Sequence, residues 1–181
     1  MVVQGWAATP LRTVRSDRLI LEPQLAAHAE EMFHVLGDPA IYEHEGEPPA
    51  SLEWLRERYR KLESRASADG REQWLNWVVR LPDGKLIGYV QATVAPSGRA
   101  DIAYVMESAQ WGKGLASEAV RAMTRELAAR HGARRLSAVL KRENLRSLRL
   151  LERLGFSAAT PAEPAGLEPD EIRMTRDMEE P

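Results

Sequence analysis

A glycine-rich turn joins a strand-like segment to an amphipathic helix in the middle of this chain. The strand-like run ends near Met106, and the turn carries Gly112 and Gly114 one residue apart. Glycine tolerates positive φ, so the backbone can turn tightly there and direct unpaired N–H groups of the helix start into one small space. The positive end of the helix dipole adds to the attraction of that space for phosphate. The sequence therefore predicts a strand-turn-helix unit that binds a phosphate-bearing ligand.

The composition excludes several other kinds of site. The chain has 181 residues, a formal net charge of −2 and no cysteine. Its length suits one domain, and its charge gives no steering toward nucleic acid or anionic lipid. The lack of cysteine excludes a disulfide framework, a thiolate zinc site and a cysteine nucleophile, and we expect no metal. No run of about 18 apolar residues is present, and residues 1–10 do not resemble a signal peptide, so the expectation is a cytoplasmic protein without a membrane partner.

Hydrophobic periodicity gives the order strand, two helices, three strands, helix, strand, helix, two strands. Residues 74–81, 85–94 and 99–107 should form an antiparallel meander. Ser51 and Asn144 are the expected N-caps of the second and last helices. This order predicts a mixed α/β layer structure, with residues 1–12 as an N-terminal arm and 13–181 as a single domain.

The glycine turn fits neither of two common nucleotide motifs. A P-loop needs Lys-Ser/Thr after its second glycine, whereas Gly114 is followed by Leu115. A dinucleotide fingerprint needs a third glycine within a βαβ unit, and here that glycine is missing. The remaining alternative to a phosphate site is a plain strand-to-helix turn in which the glycines serve geometry only.

Two motifs resemble those of the GNAT N-acetyltransferase superfamily. The run Trp111–Ala116 is similar to its acyl-CoA pyrophosphate loop, Gln/Arg-x-x-Gly-x-Gly/Ala, with Trp111 departing at the first position. Asn144 and Ser147, followed by Leu150–Phe156, resemble the family's Asn-x-x-Ser…Glu-Lys-Leu-Gly-Phe helix. The resemblance spans residues 12–178 and is strongest to the branch that acetylates ribosomal-protein N-termini.

This resemblance implies a fold and a reaction. The fold is a central mixed, mostly antiparallel sheet of about seven strands flanked by about four helices. The reaction moves an acetyl group from acetyl-CoA to a primary amine, a protein N-terminus or a small molecule, by direct attack. A catalytically silent CoA-binding sensor of the same fold, or a structural domain that binds no CoA, would share the sequence pattern. Relatives are monomers or homodimers, and both states are compatible.

The resemblance also implies which residues hold the cosubstrate. Backbone groups near the end of the strand would pair with the pantetheine arm, and amides of the turn would hold the pyrophosphate. Asn144 would contact CoA, cap its helix, or do both. The cofactor-binding set is Val105, Met106, Trp111, Gly112, Lys113, Gly114, Leu115, Ala116, Ser117 and Asn144.

Catalytic and acceptor residues follow from the same comparison. Ser147 matches a serine that protonates the leaving thiolate, while the tyrosine of other branches is replaced by Leu151, which we interpret as core. Glu107 is the best-placed carboxylate for a general base, although it could equally be a strand-end surface residue. The loop residues Glu43, His44 and Glu45 would draw a cationic amine, or form an ordinary solvated loop.

Overall fold

The computed structural model describes residues 9–44, 46–160 and 166–178. Residues 1–8 of the expected arm and Glu45 of the expected acceptor loop lie outside these ranges. The described strands are β1 (Val14–Arg15), β2 (Ile20–Pro23), β3 (Gln73–Arg80), β4 (Leu86–Val94), β5 (Arg99–Met106), β6 (Arg135–Lys141), β7 (Ser157–Ala158) and β8 (Glu171–Asp177). The α-helices are α1 (Ala29–Val35), α2 (Leu52–Leu62), α3 (Leu115–His131) and α4 (Leu145–Arg153).

The strands form one sheet in the order β1-β2-β3-β4-β5-β6-β8-β7. Every neighbouring pair is antiparallel except β5 and β6, which run parallel. The predicted mixed, mostly antiparallel sheet with four helices is therefore confirmed, and the expected meander is β3-β4-β5. The eighth strand, β1, is only two residues long, which is too short to show a hydrophobic period.

The β5–β6 pairing is short, and this sets the position of the site. It joins Arg99–Asp101 to Arg135–Ser137 and then stops, although both strands continue. Beyond Asp101 the two strands diverge, so the sheet opens into a wedge between its two halves. Backbone groups facing such a wedge must find partners other than a neighbouring strand.

Helices cover the two faces of the sheet and enclose two hydrophobic cores. The larger core includes Met123 and Leu127 of α3 and Leu151 of α4, all at most 1 % exposed. The smaller core lies under α1 and α2, where Met32 and Leu55 pack on the sheet. Leu151 is thus a core residue, as expected. No helix in the described part of the chain has the length and apolar character to cross a bilayer.

The helix ends follow the sequence signals. Ser51 Oγ accepts the Trp54 N–H at 3.0 Å, and Asn144 Oδ1 accepts the Ser147 N–H at 3.1 Å. Gly132 closes α3 in a left-handed conformation with φ of 68°. A 3₁₀ turn at Ala26–His28 precedes α1. A second 3₁₀ turn, Pro39–Tyr42, occupies part of the expected loop, with Asp38 capping it.

Candidate active site

The diverging strands open into a cleft of about 630 Å³. Its walls are the second half of β5 and residues 138–140 of β6, with α4 on one side. Residues of α2 and of the loop before it close the other side. A ligand in this cleft would lie along the unpaired edge of β5, where the sheet lacks a partner strand.

The hydrogen-bond alternation of β5 decides which backbone groups face the cleft. The Glu107 N–H donates to the Ile87 carbonyl at 2.8 Å, and Val105 lies opposite Tyr89 of β4. In an antiparallel ladder, alternate residues direct both polar groups to the same neighbour. Val105 and Glu107 therefore direct their backbone groups toward β4, whereas the resemblance implied that those of Val105 face the gap. The groups that face the gap are those of Tyr104 and Met106.

The glycine turn has the geometry that its sequence predicted. Gly112 and Gly114 both have φ of 75°, in the left-handed region that side chains disfavour. Gly114 begins α3, and no side chain caps that helix start. The N–H groups of Leu115, Ala116 and Ser117 thus have no acceptor within the helix. A Cβ built on Gly112 would meet nothing within 4 Å, so the turn is open above this residue.

Arg18, which the sequence analysis did not single out, braces the turn. Its Nη1 donates to the Lys113 carbonyl at 2.9 Å, and its Nε donates to Glu118 Oε2 at 2.7 Å. The Arg18 N–H and Ser16 Oγ both donate to Glu118 Oε1 at 2.7 Å. Burial acts to raise the pKa of Glu118, but the bonds from Ser16 and Arg18 outweigh it and lower that pKa. The segment before β2 therefore fixes the first turn of α3.

Trp111 closes one end of the cleft and occupies a backbone group. Its Nε1 donates to the Met106 carbonyl at 2.9 Å, so the free group that Met106 presents to the gap is its N–H. The Arg146 guanidinium lies 3.5 Å from the centroid of the indole ring, within the range of a cation–π contact. Lys113 is exposed and its Nζ donates to Gln110 Oε1 at 3.1 Å.

The start of α4 places two expected residues beside the cleft. Asn144 and Ser147 both line it, and the cap between them fixes their relative position. Tyr104 comes from β5 to the same place, with its hydroxyl 3.5 Å from the Ser147 carbonyl oxygen. Burial raises the pKa of Tyr104 to about 12, against the opposing effects of a hydrogen bond to Ser147 and of Arg153. Tyr104 is a second hydroxyl at this point that the motifs did not indicate.

Glu107, the expected base, lies outside the residues that line the cleft. Its Oε1 is 2.6 Å from Lys85 Nζ and accepts from Gln110 Nε2 at 3.1 Å. An ion-paired carboxylate that lies outside the cleft lining is poorly placed to take a proton from a ligand in the cleft. Its assignment as base stays a prediction, and this geometry does not favour it.

The loop before α2 brings His44 to the cleft, as the sequence analysis expected for the acceptor side. His44 Nδ1 is 3.7 Å from Glu143 Oε1, and its Nε2 is 3.9 Å from Glu43 Oε2. Glu43 is exposed, with Arg146 at 4.0 Å, and Glu47 also lines the cleft. Glu43 of this loop and Glu143 just before α4 therefore place two carboxylates beside one imidazole.

The same loop is anchored to the end of β5. Asp38 Oδ2 accepts the Ser108 N–H at 2.7 Å, and this backbone bond lowers the pKa of Asp38.

The tryptophans divide between cleft and core. Trp54 and Trp111 line the cleft, whereas Trp77 is fully buried, with its Nε1 donating to the Arg12 carbonyl at 2.9 Å. Trp74 lies apart from the cleft, beside Glu72.

No group of three or more His, Cys, Asp or Glu side chains that could hold a metal ion exists within residues 9–44, 46–160 and 166–178. The cleft presents several polar groups of its own. They include the free backbone groups of Tyr104 and Met106, the Ser147 and Tyr104 hydroxyls, and the His44 imidazole.

Comparison with known proteins identifies the family. Residues 18–157 match the acetyltransferase (GNAT) domain family. Because the match covers more than half of the chain, the protein belongs to this family and is an acetyltransferase. No curated protein sequence matches the chain significantly.

Solved structures show the same fold at low sequence identity. One is RimL, a ribosomal L7/L12 alpha-N-protein acetyltransferase in complex with coenzyme A, with a TM-score of 0.77, 16 % identity, and coverage of 92 % of this chain and 98 % of that one. A ribosomal-protein-S5-alanine acetyltransferase from Vibrio fischeri has a TM-score of 0.73 and 18 % identity, with coverage of 91 % of this chain and 96 % of that one. A GNAT-family acetyltransferase from Bordetella pertussis has a TM-score of 0.70 and 24 % identity, with coverage of 91 % of this chain and 98 % of that one.

Proposed function

We propose that the protein transfers the acetyl group of acetyl-CoA to a primary amine by direct attack in the cleft between β5 and β6. The observation that carries this proposal is the short β5–β6 pairing, which ends at Asp101 and Ser137 beside a cleft and an uncapped helix start. One element supplies an unpaired strand edge and the other supplies unpaired amides. A pantetheine arm with a diphosphate at its end would satisfy both.

The residues present fit this cosubstrate. The backbone groups of Tyr104 would pair with the amides of the pantetheine arm, because β4 does not use them, and the Met106 N–H lies farther along the same edge. The diphosphate would lie over the turn, held by several charge-assisted bonds from main-chain N–H groups. The proposed cofactor-binding set is Tyr104, Met106, Trp111, Gly112, Lys113, Gly114, Leu115, Ala116, Ser117 and Asn144.

The chain's own groups can carry the transfer. Attack on a thioester places negative charge on the carbonyl oxygen, and the Met106 N–H facing the gap is the donor we assign to it. The amine nitrogen forms the new bond to the acetyl carbon as the carbon–sulfur bond breaks. Ser147, which lines the cleft, would give a proton to the departing sulfur and recover one from solvent.

The amine must lose a proton, and we assign that proton to His44. An amine is mostly protonated at neutral pH and attacks only as the free base. Of the cleft residues, His44 is the imidazole, and Glu43 and Glu143 beside it attract a cationic amine. Glu107 is the competing assignment, weakened by its ion pair with Lys85.

Two measurements test the proposal. Acetyl-CoA at millimolar concentration should raise the Tm, since a ligand of the native state stabilises it by RT ln(1 + [L]/Kd). Release of free CoA thiol should then be followed with a panel of primary amines, and the acetylated amine identified by mass spectrometry.

The outcomes separate the alternatives. Stabilisation with turnover supports the enzyme. Stabilisation without turnover of any amine supports a CoA-binding sensor. The absence of stabilisation by acetyl-CoA would refute the proposal, because the turn would then serve only to join two elements.

A further inference from the structure

Two buried polar atoms at the inner end of the cleft have no hydrogen-bond partner among the described residues. They are Gln24 Nε2 and the Tyr59 hydroxyl, on side chains that are each only 3 % exposed. Both residues line the cleft. Buried polar groups are almost always hydrogen-bonded, so two unsatisfied groups on one cleft indicate a ligand that completes them.

These atoms lie at the end of the cleft away from α4. The Gln24 N–H donates to the Asn76 carbonyl at 2.9 Å, and Asn76 pairs with Gln91, which pairs with Ala103 of β5. Residues directly opposite in neighbouring strands share a face of the sheet. Gln24, Asn76 and Gln91 therefore form a row of carboxamides that crosses the sheet under α2 and ends beside the open half of β5.

Cationic groups surround the same end. The Arg65 guanidinium donates to the Gln24 carbonyl, and its Nη1 is buried without a partner among the described residues. Arg58 lines the cleft and lies 5.6 Å from the centroid of the Trp54 ring. At the α4 end, Glu43 and Glu143 lie beside His44 outside the cleft lining, and Arg146, which lines the cleft, is 4.0 Å from Glu43. Among the described residues that line the cleft, the buried side-chain donors without a partner, Gln24 Nε2 and the Tyr59 hydroxyl, thus lie together at the end away from α4.

Two unsatisfied donors beside Arg58 match one kind of acceptor. We propose that the amine acceptor carries a carboxylate, as an amino acid does, with its carboxylate at Gln24, Tyr59 and Arg58 and its amine toward His44 and the open edge of β5. Gln24 Nε2 and the Tyr59 hydroxyl each donate to the carboxylate oxygens, and Arg58 supplies charge at the rim. The inference rests on the proposed function, because it names the substrate class of that same site.

The test compares amines that differ only in the carboxylate. The twenty amino acids are assayed with acetyl-CoA beside their carboxamides, their decarboxylated amines and N-terminal peptide amides. We expect at least one amino acid to have a kcat/KM at least about tenfold above its carboxamide, the loss expected for one hydrogen bond to a charged group. Equal or better turnover of the carboxamides, or no turnover of any amino acid, overturns the inference.

These results are distinguishable from failure of the proposed function. Turnover of decarboxylated amines or peptide amides alone would refute the inference that the acceptor carries a carboxylate, and the proposed acetyl transfer would stand. A lack of stabilisation by acetyl-CoA would refute the proposed function itself.

Variants separate recognition from structure. Tyr59→Phe should lower kcat/KM for the preferred amino acid about tenfold and leave its carboxamide unchanged, while the Tm holds or rises, because the variant removes an unsatisfied buried hydroxyl. Loss of Tm would show that the hydroxyl is structural.

Arg58→Gln should likewise reduce the preference for the carboxylate. Arg60→Gln is its matched control, an exposed arginine on the same helix that pairs with Glu57 and does not line the cleft. Equal effects of the two arginine variants would remove Arg58 from the site.

Discussion

Replacing Gly112 by alanine tests whether the turn binds a diphosphate. Gly112 has φ of 75° and open space where a Cβ would stand. Alanine in a left-handed conformation costs about 1–2 kcal/mol, which predicts a fall in Tm of about 2–8 °C for a domain of this size. The new methyl group would also project over the turn, into the space that we assign to the diphosphate.

Gly84 provides a matched control. It lies in the turn between β3 and β4 with φ of 97°, and its Cβ position is also open. Gly84→Ala should therefore suffer the same kind of strain, and a similar fall in Tm, without touching the cosubstrate. A difference between the two variants in coenzyme binding then reports on the ligand and not on backbone strain.

The expected difference follows from the bonds at stake. Displacing the diphosphate from one charge-assisted N–H costs about 1.5–3 kcal/mol, which is about tenfold to a hundredfold in affinity. Gly112→Ala should raise the KM for acetyl-CoA and the Kd for CoA, measured by titration calorimetry, by at least about tenfold. Gly84→Ala should change both by less than about twofold. Equal Kd values for the two variants would refute the assignment of the turn.

Three further predictions concern proton transfer and stability. If the Ser147 hydroxyl protonates the thiolate, Ser147→Ala should lower kcat about 100-fold and leave the KM for acetyl-CoA nearly unchanged. An unaltered kcat in steady-state kinetics would show that Ser147 is a packing residue. His44→Gln should lower kcat/KM for the amine about 100-fold in steady-state kinetics, whereas a larger loss in Glu107→Gln would restore Glu107 as the base. Burial lowers the pKa of His131, so the folded state favours the neutral ring, and stability should be full above the ordinary pKa near 6.5 and fall as the pH drops below it. The Tm should fall less between pH 7 and pH 5.5 for His131→Gln than for the wild-type protein. An equal fall in the two proteins would show that His131 does not control this pH dependence.

The sequence predicted the parts of the site that lie within one element or one turn. The two left-handed glycines, the Asn144 cap and the α3 stripe are local, because each depends on residues within a few positions of one another. Arg18 is different, since it reaches the Lys113 carbonyl across 95 positions. No short-range pattern in the chain links these two residues, so the brace on the turn could not be predicted.

The alternation of the β5 ladder determines which of its residues direct their backbone groups toward the gap. The position of the strand was predicted to within a residue, but the direction in which each residue points depends on the register with β4. That register makes Val105 a partner of Tyr89 and leaves Tyr104 and Met106 at the gap. A shift of one residue exchanges the two sets, and nothing in a single strand's sequence fixes it.

The polar lining of the acceptor end of the cleft could not be predicted from the sequence. Gln24 follows β2, Tyr59 lies within α2, and Gln91 is in the middle of β4, so three separate elements supply the polar lining. Each of these residues alone resembles an ordinary surface or strand residue. Only the packed sheet brings them together, and only their burial shows that two of the polar atoms lack partners. The cosubstrate end depends on main-chain groups and tolerates many side chains, whereas the acceptor end depends on side chains and sets the substrate. The glycine motif can therefore identify the family while the choice of amine is determined elsewhere in the fold.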